Sequence, residues 1–181
     1  MCHERTLNIF KGCPPFYSLF LSVASAFCLP REIPKDSEAH FTGARNKELM
    51  KLNYITSCII QAAIKVHKAL GPGLLESVYQ KCMSIELEKM GLKVEAEMEL
   101  PVFYGDRKIT DLGFRLDLLV ESSVIVELKS VEEIKPVHRK QLITYLRLAN
   151  KELGLLINFN EVLLKKGIVR IVNAFKDEDA D

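Results

Sequence analysis

Residues 115–130 read RLDLLVESSVIVELKS, and this stretch decides the fold. It contains two apolar runs, LDLLV and VIVELK, on either side of Glu121-Ser122-Ser123. Aliphatic and β-branched runs flanking a short polar break signal an antiparallel hairpin. The length of the loop then sets the register. A two-residue loop at Ser122-Ser123 places Asp117 opposite Leu128, whereas a three-residue loop places it opposite Glu127. Side chains alternate faces along a strand, and directly opposed residues share a face. Only the three-residue loop sorts the chemistry. It puts Leu116, Leu118, Val120, Val124, Val126 and Leu128 on one face, and Arg115, Asp117, Glu127 and Lys129 on the other. Asp117 and Glu127 are therefore expected to be neighbours, with Lys129 one step along the same face.

Two carboxylates held side by side repel unless a cation lies between them or one takes a proton. A hard divalent ion such as Mg²⁺ binds through one or two carboxylates and keeps several waters, which suits this pair. Such an ion acidifies a water and stabilises charge on a phosphate, and an adjacent lysine can hold that water. The competing reading is a solvated strand face on which Glu127 and Lys129 form a surface pair worth little.

Outward from the hairpin, periodicity alternates between helix and strand. Residues 48–69 carry Ile55, Ile59, Ala62, Ala63 and Val66 at helical spacing, continued by Leu70. Gly71-Pro72-Gly73 ends that helix. A second helix is expected over 74–90, with Val78, Cys82, Ile85 and Leu87 inward and Gly91 as its stop. Residues 94–102 alternate as VEAEMELPV, a half-buried strand. A turn at 104–107 leads to a strand over 108–114, and the hairpin follows. Residues 136–149 form a helix with proline in its first turn. Short strands close the pattern at 154–159 and 167–172. A meander followed by helix and strand predicts an α/β fold, a central mixed sheet flanked by helices.

The chain of 181 residues is 48% hydrophobic and 27% charged, with a net charge of +1. That suffices for one packed domain and excludes a disordered polyampholyte, a collagen-like fibre and a strongly basic coat protein. Five cysteines without a C-x-x-C argue against a disulfide scaffold or a zinc finger. Three pieces are expected: an extension over 1–46, a folded domain over 47–175 and an acidic tail over 176–181. The uncharged run FYSLFLSVASAFCL, residues 16–29, has 14 residues, too few for the roughly 20 that a membrane span needs. It reads as a secretory signal, as an ordered or disordered extension, or as sequence upstream of a start at Met50. A reduced, cytoplasmic protein without membrane attachment is the expectation; the oligomeric state is left open.

Further motifs surround the hairpin. Gly73-Leu74-Leu75-Glu76-Ser77-Val78-Tyr79 matches G-x-x-E-x-x-Y, nine residues intervene between Asp117 and Glu127-Leu128-Lys129, and Gln141-Leu142-Ile143-Thr144-Tyr145 matches Q-x-x-x-Y. Three separated motifs in this order resemble the GxxExxY proteins of the PD-(D/E)XK nuclease superfamily, over roughly residues 50–173. The resemblance implies a restriction-endonuclease-like core and a Mg²⁺-dependent nuclease, with Mn²⁺ as a substitute ion, acting on DNA through a metal-activated water. It implies Asp117 and Glu127 as metal ligands, with the backbone of Leu128 and the carboxylate of Glu76 as further ligands. Lys129 would position the attacking water, and Gln141 and Tyr145 would face the site. The alternative is a non-catalytic nucleic-acid- or protein-binding module on the same fold.

Helical spacing agrees: His138, Gln141 and Tyr145 share a face. Tyr79 has a second reading as a core residue with a satisfied hydroxyl, Gln141 as a local bridge, and His138 and His67 as structural residues. Lys135, Arg139, Lys140 and Arg147 make the 136–149 helix basic, and with His138 they are candidate phosphate contacts or simply a solvated face. The sequence shows no aromatic-interleaved basic stretch of the kind that stacks single strands.

Overall fold

The computed structural model describes residues 43–173, with only the backbone described at 43, 44 and 110–113. The expectations for the segment before residue 43 and for the acidic tail lie outside these residues.

The described elements run α1 (Gly43–Leu70), α2 (Glu76–Lys89), β1 (Val94–Tyr104), β2 (Arg107–Val120), β3 (Val124–Lys129), α3 (Pro136–Leu148), β4 (Leu153–Asn158), a 3₁₀ turn (Leu164–Gly167) and β5 (Ile168–Val172). The five strands lie in chain order in one sheet. Every neighbouring pair is antiparallel except β3 and β4, which are parallel and joined through α3. Antiparallel strands can turn back directly, whereas parallel ones need a crossover, and α3 supplies it. The α/β fold with a mixed sheet and flanking helices is the expected one.

Each face of the sheet has its own core. On one face, Leu52, Ile55, Ile59, Ala62, Ala63 and Val66 of α1 and Tyr79, Met83 and Leu87 of α2 pack on alternate residues of β2, β3 and β4. On the other face, Leu142, Tyr145 and Leu146 of α3 cover Leu119, Ile125 and Leu156. The central strand β3 is therefore apolar on both sides, as buried parallel strands are, and Glu127 interrupts it with a charge. A Cβ on Gly154 would come within 2.9 Å of Leu142, so a bare backbone there lets α3 lie close on β4.

The hairpin register is the expected one: Leu118 faces Val126, Leu119 faces Ile125 and Val120 faces Val124. Glu121 and Ser122 adopt positive φ (52° and 49°), and Ser123 N–H donates to the Val120 carbonyl at 3.0 Å. Leu116 departs from the expected pattern. It is buried in the α3-side core, not with Leu118 and Val120. On its partner strand, between the residues paired with Leu116 and Leu118, Glu97 adopts φ 56°.

Three other expectations are corrected. The strand over 108–114 and the first arm of the hairpin are one continuous strand, β2. The inward face of α2 is Tyr79, Gln80, Met83 and Leu87, while Val78 and Ile85 are exposed. The aromatic ring sets the rotation of that helix, because Tyr79 stacks on Phe159 with centroids 4.2 Å apart. Leu70, at the end of α1, is exposed. Among the described residues no helix is long and apolar enough to cross a membrane.

Candidate active site

The two acidic strands converge past the last pair of the hairpin ladder. The Leu128 N–H donates to Asp117 Oδ2 at 2.7 Å, so the Asp117 side chain bridges β2 to the middle of the Glu127-Leu128-Lys129 segment. The Lys129 ammonium donates to Glu127 Oε1 at 2.6 Å. Residues two apart on a strand share a face, which makes this ion pair a direct consequence of the E-x-K spacing. Glu127 is 2% exposed, and its other oxygen, Oε2, is buried without a hydrogen-bond partner. A buried ionised oxygen without a donor is costly, and such atoms call for an explanation.

The electrostatics follow from that geometry. Burial and then repulsion by Asp117 push the Glu127 carboxyl up to about 7, against the pull of Lys129. Burial raises Asp117 as well; the Leu128 amide and Lys129 only partly offset it. For Lys129, burial disfavours the charge, but the Glu127, Glu76 and Asp117 carboxylates together outweigh it and hold the ammonium above its ordinary value. The site thus holds one proton tightly on nitrogen and a second on the carboxylate pair near neutrality.

The G-x-x-E-x-x-Y segment fastens the rim of the site. Gly71 and Gly73 take φ of 70° and 100°, a conformation that glycine adopts without strain. Tyr79, fully buried, donates its hydroxyl to the Gly71 carbonyl at 2.7 Å and accepts the Leu74 N–H at 3.1 Å. The Glu76 carboxylate accepts the Ser130 N–H at 2.9 Å, and the Ser130 hydroxyl donates to the Leu74 carbonyl at 2.8 Å. The turn between α1 and α2 is thereby sewn to the chain leaving β3. The core reading of Tyr79 is thus the observed one. An open groove beside this seam is lined by Gly73, Glu76, Ser77, Ser130 and Asn160.

From the opposite side, α3 brings Gln141 and Tyr145. The Gln141 amide donates to the Tyr145 hydroxyl at 2.6 Å. Burial raises the Tyr145 phenol, with the Glu127 and Asp117 carboxylates adding to the shift, so this ring lies within the field of the acidic pair. A family model described as the PD-(D/E)XK nuclease superfamily matches residues 53–171.

The chain belongs to the PD-(D/E)XK nuclease superfamily. Comparison with curated proteins and with solved structures gave no match. Proteins of this superfamily generally use divalent metals. The residues present fit such an ion in part. Two neighbouring carboxylates, one with a bare buried oxygen, make an all-oxygen donor set suited to a hard cation that keeps its waters. Among the described residues, no three His, Cys, Asp or Glu side chains form a metal-holding group. The donors would then be Asp117, Glu127 and the main chain of Leu128, whose side chain is buried in the α1–α2 core. Glu76, with Oε1 bound to the Ser130 amide, has its second oxygen left for a water or an ion.

The remaining expected residues divide. Arg139, Lys140 and Arg147 lie on α3 and are exposed. His138 is partly buried and caps its own helix, its Nδ1 accepting the Lys135 N–H at 3.2 Å. The structural reading of His67 agrees with its Nε2 contact to the Glu161 carbonyl at 2.7 Å. Two polar residues, one against Asp117 and one against the chain leaving β3, were not foreseen. Gln80 Nε2 donates to the Asp117 carbonyl at 2.8 Å; its position four residues after Glu76 on the same helical face was the available signal. Asn158, fully buried, accepts the Val131 N–H at 3.1 Å and donates to the Val131 carbonyl at 2.7 Å. A polar residue ending the apolar strand LGLLIN was its trace in the sequence.

Proposed function

We propose that the chain is a divalent-metal-dependent nuclease that hydrolyses phosphodiester bonds of DNA, with Mg²⁺ as the ion. The observation that carries this reading is the buried, unpartnered Glu127 Oε2 beside Asp117, with the Lys129 ammonium 2.6 Å from the other Glu127 oxygen. A bound divalent ion would supply charge neutralisation at the phosphate and a more acidic water. The chain's own residues do the rest. Asp117 and Glu127 hold the ion's face of the site, and the hydrogen bond from Leu128 fixes the Asp117 rotamer. Lys129 carries a permanent positive charge toward the phosphate oxygens as negative charge grows on them. Gln141 and Tyr145 orient one another, with the Tyr145 hydroxyl in the field of the acidic pair. Exposed Arg139 and Lys140 on α3 are suited to phosphate contact.

Incubation of the chain with plasmid and oligonucleotides in Mg²⁺ or Mn²⁺ tests the reading. Cleavage is expected from the native chain and loss of it from Asp117→Ala and Lys129→Ala. Equal activity in native chain and variants would overturn it. A second reading, a nucleic-acid-binding module without hydrolysis, is favoured by the engagement of Glu76 with Ser130 and by the absence, among the described residues, of a third acidic or metal-ligating side chain grouped with the pair. Salt-dependent DNA binding without cleavage in either metal would select it.

A further inference from the structure

The meander places an exposed hairpin arm beyond the acidic site. β3 ends at Lys129. Counting on from the last pair of its ladder with β2, Leu118 with Val126, the β2 residue level with Lys129 is Arg115. β2 begins at Arg107, so the strand carries eight more residues past that level, paired with the end of β1. At about 3.3 Å per residue the arm reaches roughly 25 Å past the site. Its base adjoins the site, because the Phe114 ring lies 5.6 Å from the Tyr145 ring, and Tyr145 is bound to Gln141. Register shifts on either side of Val102 bend it. Every residue from 103 to 109 is exposed, including Phe103 at 59% and Tyr104 at 83%.

The composition of the tip has a specific chemistry. Phe103 is paired across the strands with Lys108, and Tyr104 with Arg107. Opposed residues share a face, so each face of the tip presents one aromatic ring and one cation, with Asp106 in the turn between them. The expectation of no aromatic-interleaved basic stretch does not hold at the tip, where strand pairing sets two rings beside two cations. A large apolar ring left in water at a strand tip has no folding role to offset its exposure. Rings that stack on bases beside cations that neutralise phosphates are how single strands are gripped without sequence readout. A base pair inside a duplex offers no free face for stacking.

We propose that this arm is a second nucleic-acid contact, stacking on unpaired bases, and that the substrates are nucleic acids with a single-stranded segment next to the cleaved bond. The proposal rests on the nuclease reading of the acidic site. A reach of roughly 25 Å places the stacked bases several nucleotides from the scissile phosphate.

The chain has no tryptophan, so Tyr104→Trp in the full chain gives a single reporter at the tip. With Ca²⁺ replacing Mg²⁺, binding is read by anisotropy of labelled oligonucleotides and stacking by tryptophan quenching. A duplex with a 10-nucleotide overhang and a single strand are expected to quench the reporter, and a blunt duplex is not. Phe103→Ala with Tyr104→Ala is expected to weaken overhang binding about 10-fold or more and to change blunt-duplex binding less than about 2-fold. Binding of the overhang with a silent reporter and an unchanged affinity in the double variant would overturn the arm contact while leaving the nuclease reading intact. Absence of any nucleic-acid binding by the native chain would overturn both. A reporter that shifts with protein concentration alone, together with a dimer mass, would make the arm an interface between copies and overturn the proposal.

Discussion

Lys129 Nζ sits 2.6 Å from Glu127 Oε1, while Glu127 Oε2, on the same carboxylate, is buried without a hydrogen bond. One lysine thus satisfies half of a group that the fold has removed from water. The other half keeps its desolvation cost until a positive centre arrives or a proton is added.

That cost has a sign that can be measured. The folded Glu127 carboxyl titrates at about 7, above its ordinary 4.5. The folded state therefore holds a proton that the unfolded chain has released between these values. Its contribution to stability is fully present below pH 4.5 and is lost as pH rises through 7. Glu127→Gln, in EDTA, is expected to be more stable than the native chain at pH 8 by on the order of 3 kcal/mol at most, and to differ little at pH 4.5. Melting temperatures across that range check it; an equal or lower value for the variant at pH 8 would contradict the burial argument.

Metal should reverse the same penalty. Addition of Mg²⁺ or Mn²⁺ at pH 8 is expected to raise the melting temperature of the native chain, and to do so far less for Asp117→Asn. Calorimetric titration of the ion into both proteins measures the difference directly. An equal rise in both would place the ion elsewhere.

Lys129→Met should separate charge from shape. Its loss is expected to reduce cleavage at least about 100-fold, because the positive group at the phosphate is removed. It also strands Glu127 Oε1, so a lower melting temperature without metal is expected, restored in part by Mn²⁺. Single-turnover cleavage and thermal unfolding together check both halves.

Glu76 offers a finer test. Glutamine can still accept the Ser130 N–H, whereas alanine cannot. Glu76→Gln is expected to melt within about 0.5 kcal/mol of the native chain yet cleave about 10-fold more slowly, and Glu76→Ala to lose both stability and activity. Native-like activity in Glu76→Gln would reduce Glu76 to a strut.

Tyr79→Phe keeps the stack on Phe159 and deletes both bonds of the hydroxyl. A loss of about 1–3 kcal/mol is expected from the unsatisfied Gly71 and Leu74 groups. Denaturant unfolding checks it.

The hairpin register was legible because apolar alternation selected the three-residue loop, and that register sets Asp117 level with Glu127. The face assigned to Leu116 was not legible: nothing in the sequence marks the change of side between Leu118 and Leu116, beside which Glu97 adopts φ 56°. The rotation of α2 was hidden for a different reason. Val78, Cys82 and Ile85 form a plausible apolar stripe, but Tyr79 finds a ring to stack on in Phe159, 80 residues away along the chain. Gln80 and Asn158 were missed because their partners are main-chain groups, at Asp117 and Val131, and the sequence shows the polar side chain but not the backbone it binds.

The seam formed by Tyr79, Glu76, Ser130 and Leu74 also dictates timing. It joins groups 54 and 56 positions apart, and so can close only after the helical pair has docked on the sheet. A chain emerging from the ribosome, or one partly unfolded by heat, holds Asp117 and Glu127 without the rim that frames them. Under the proposed function, competence to cut would then belong to the finished fold alone.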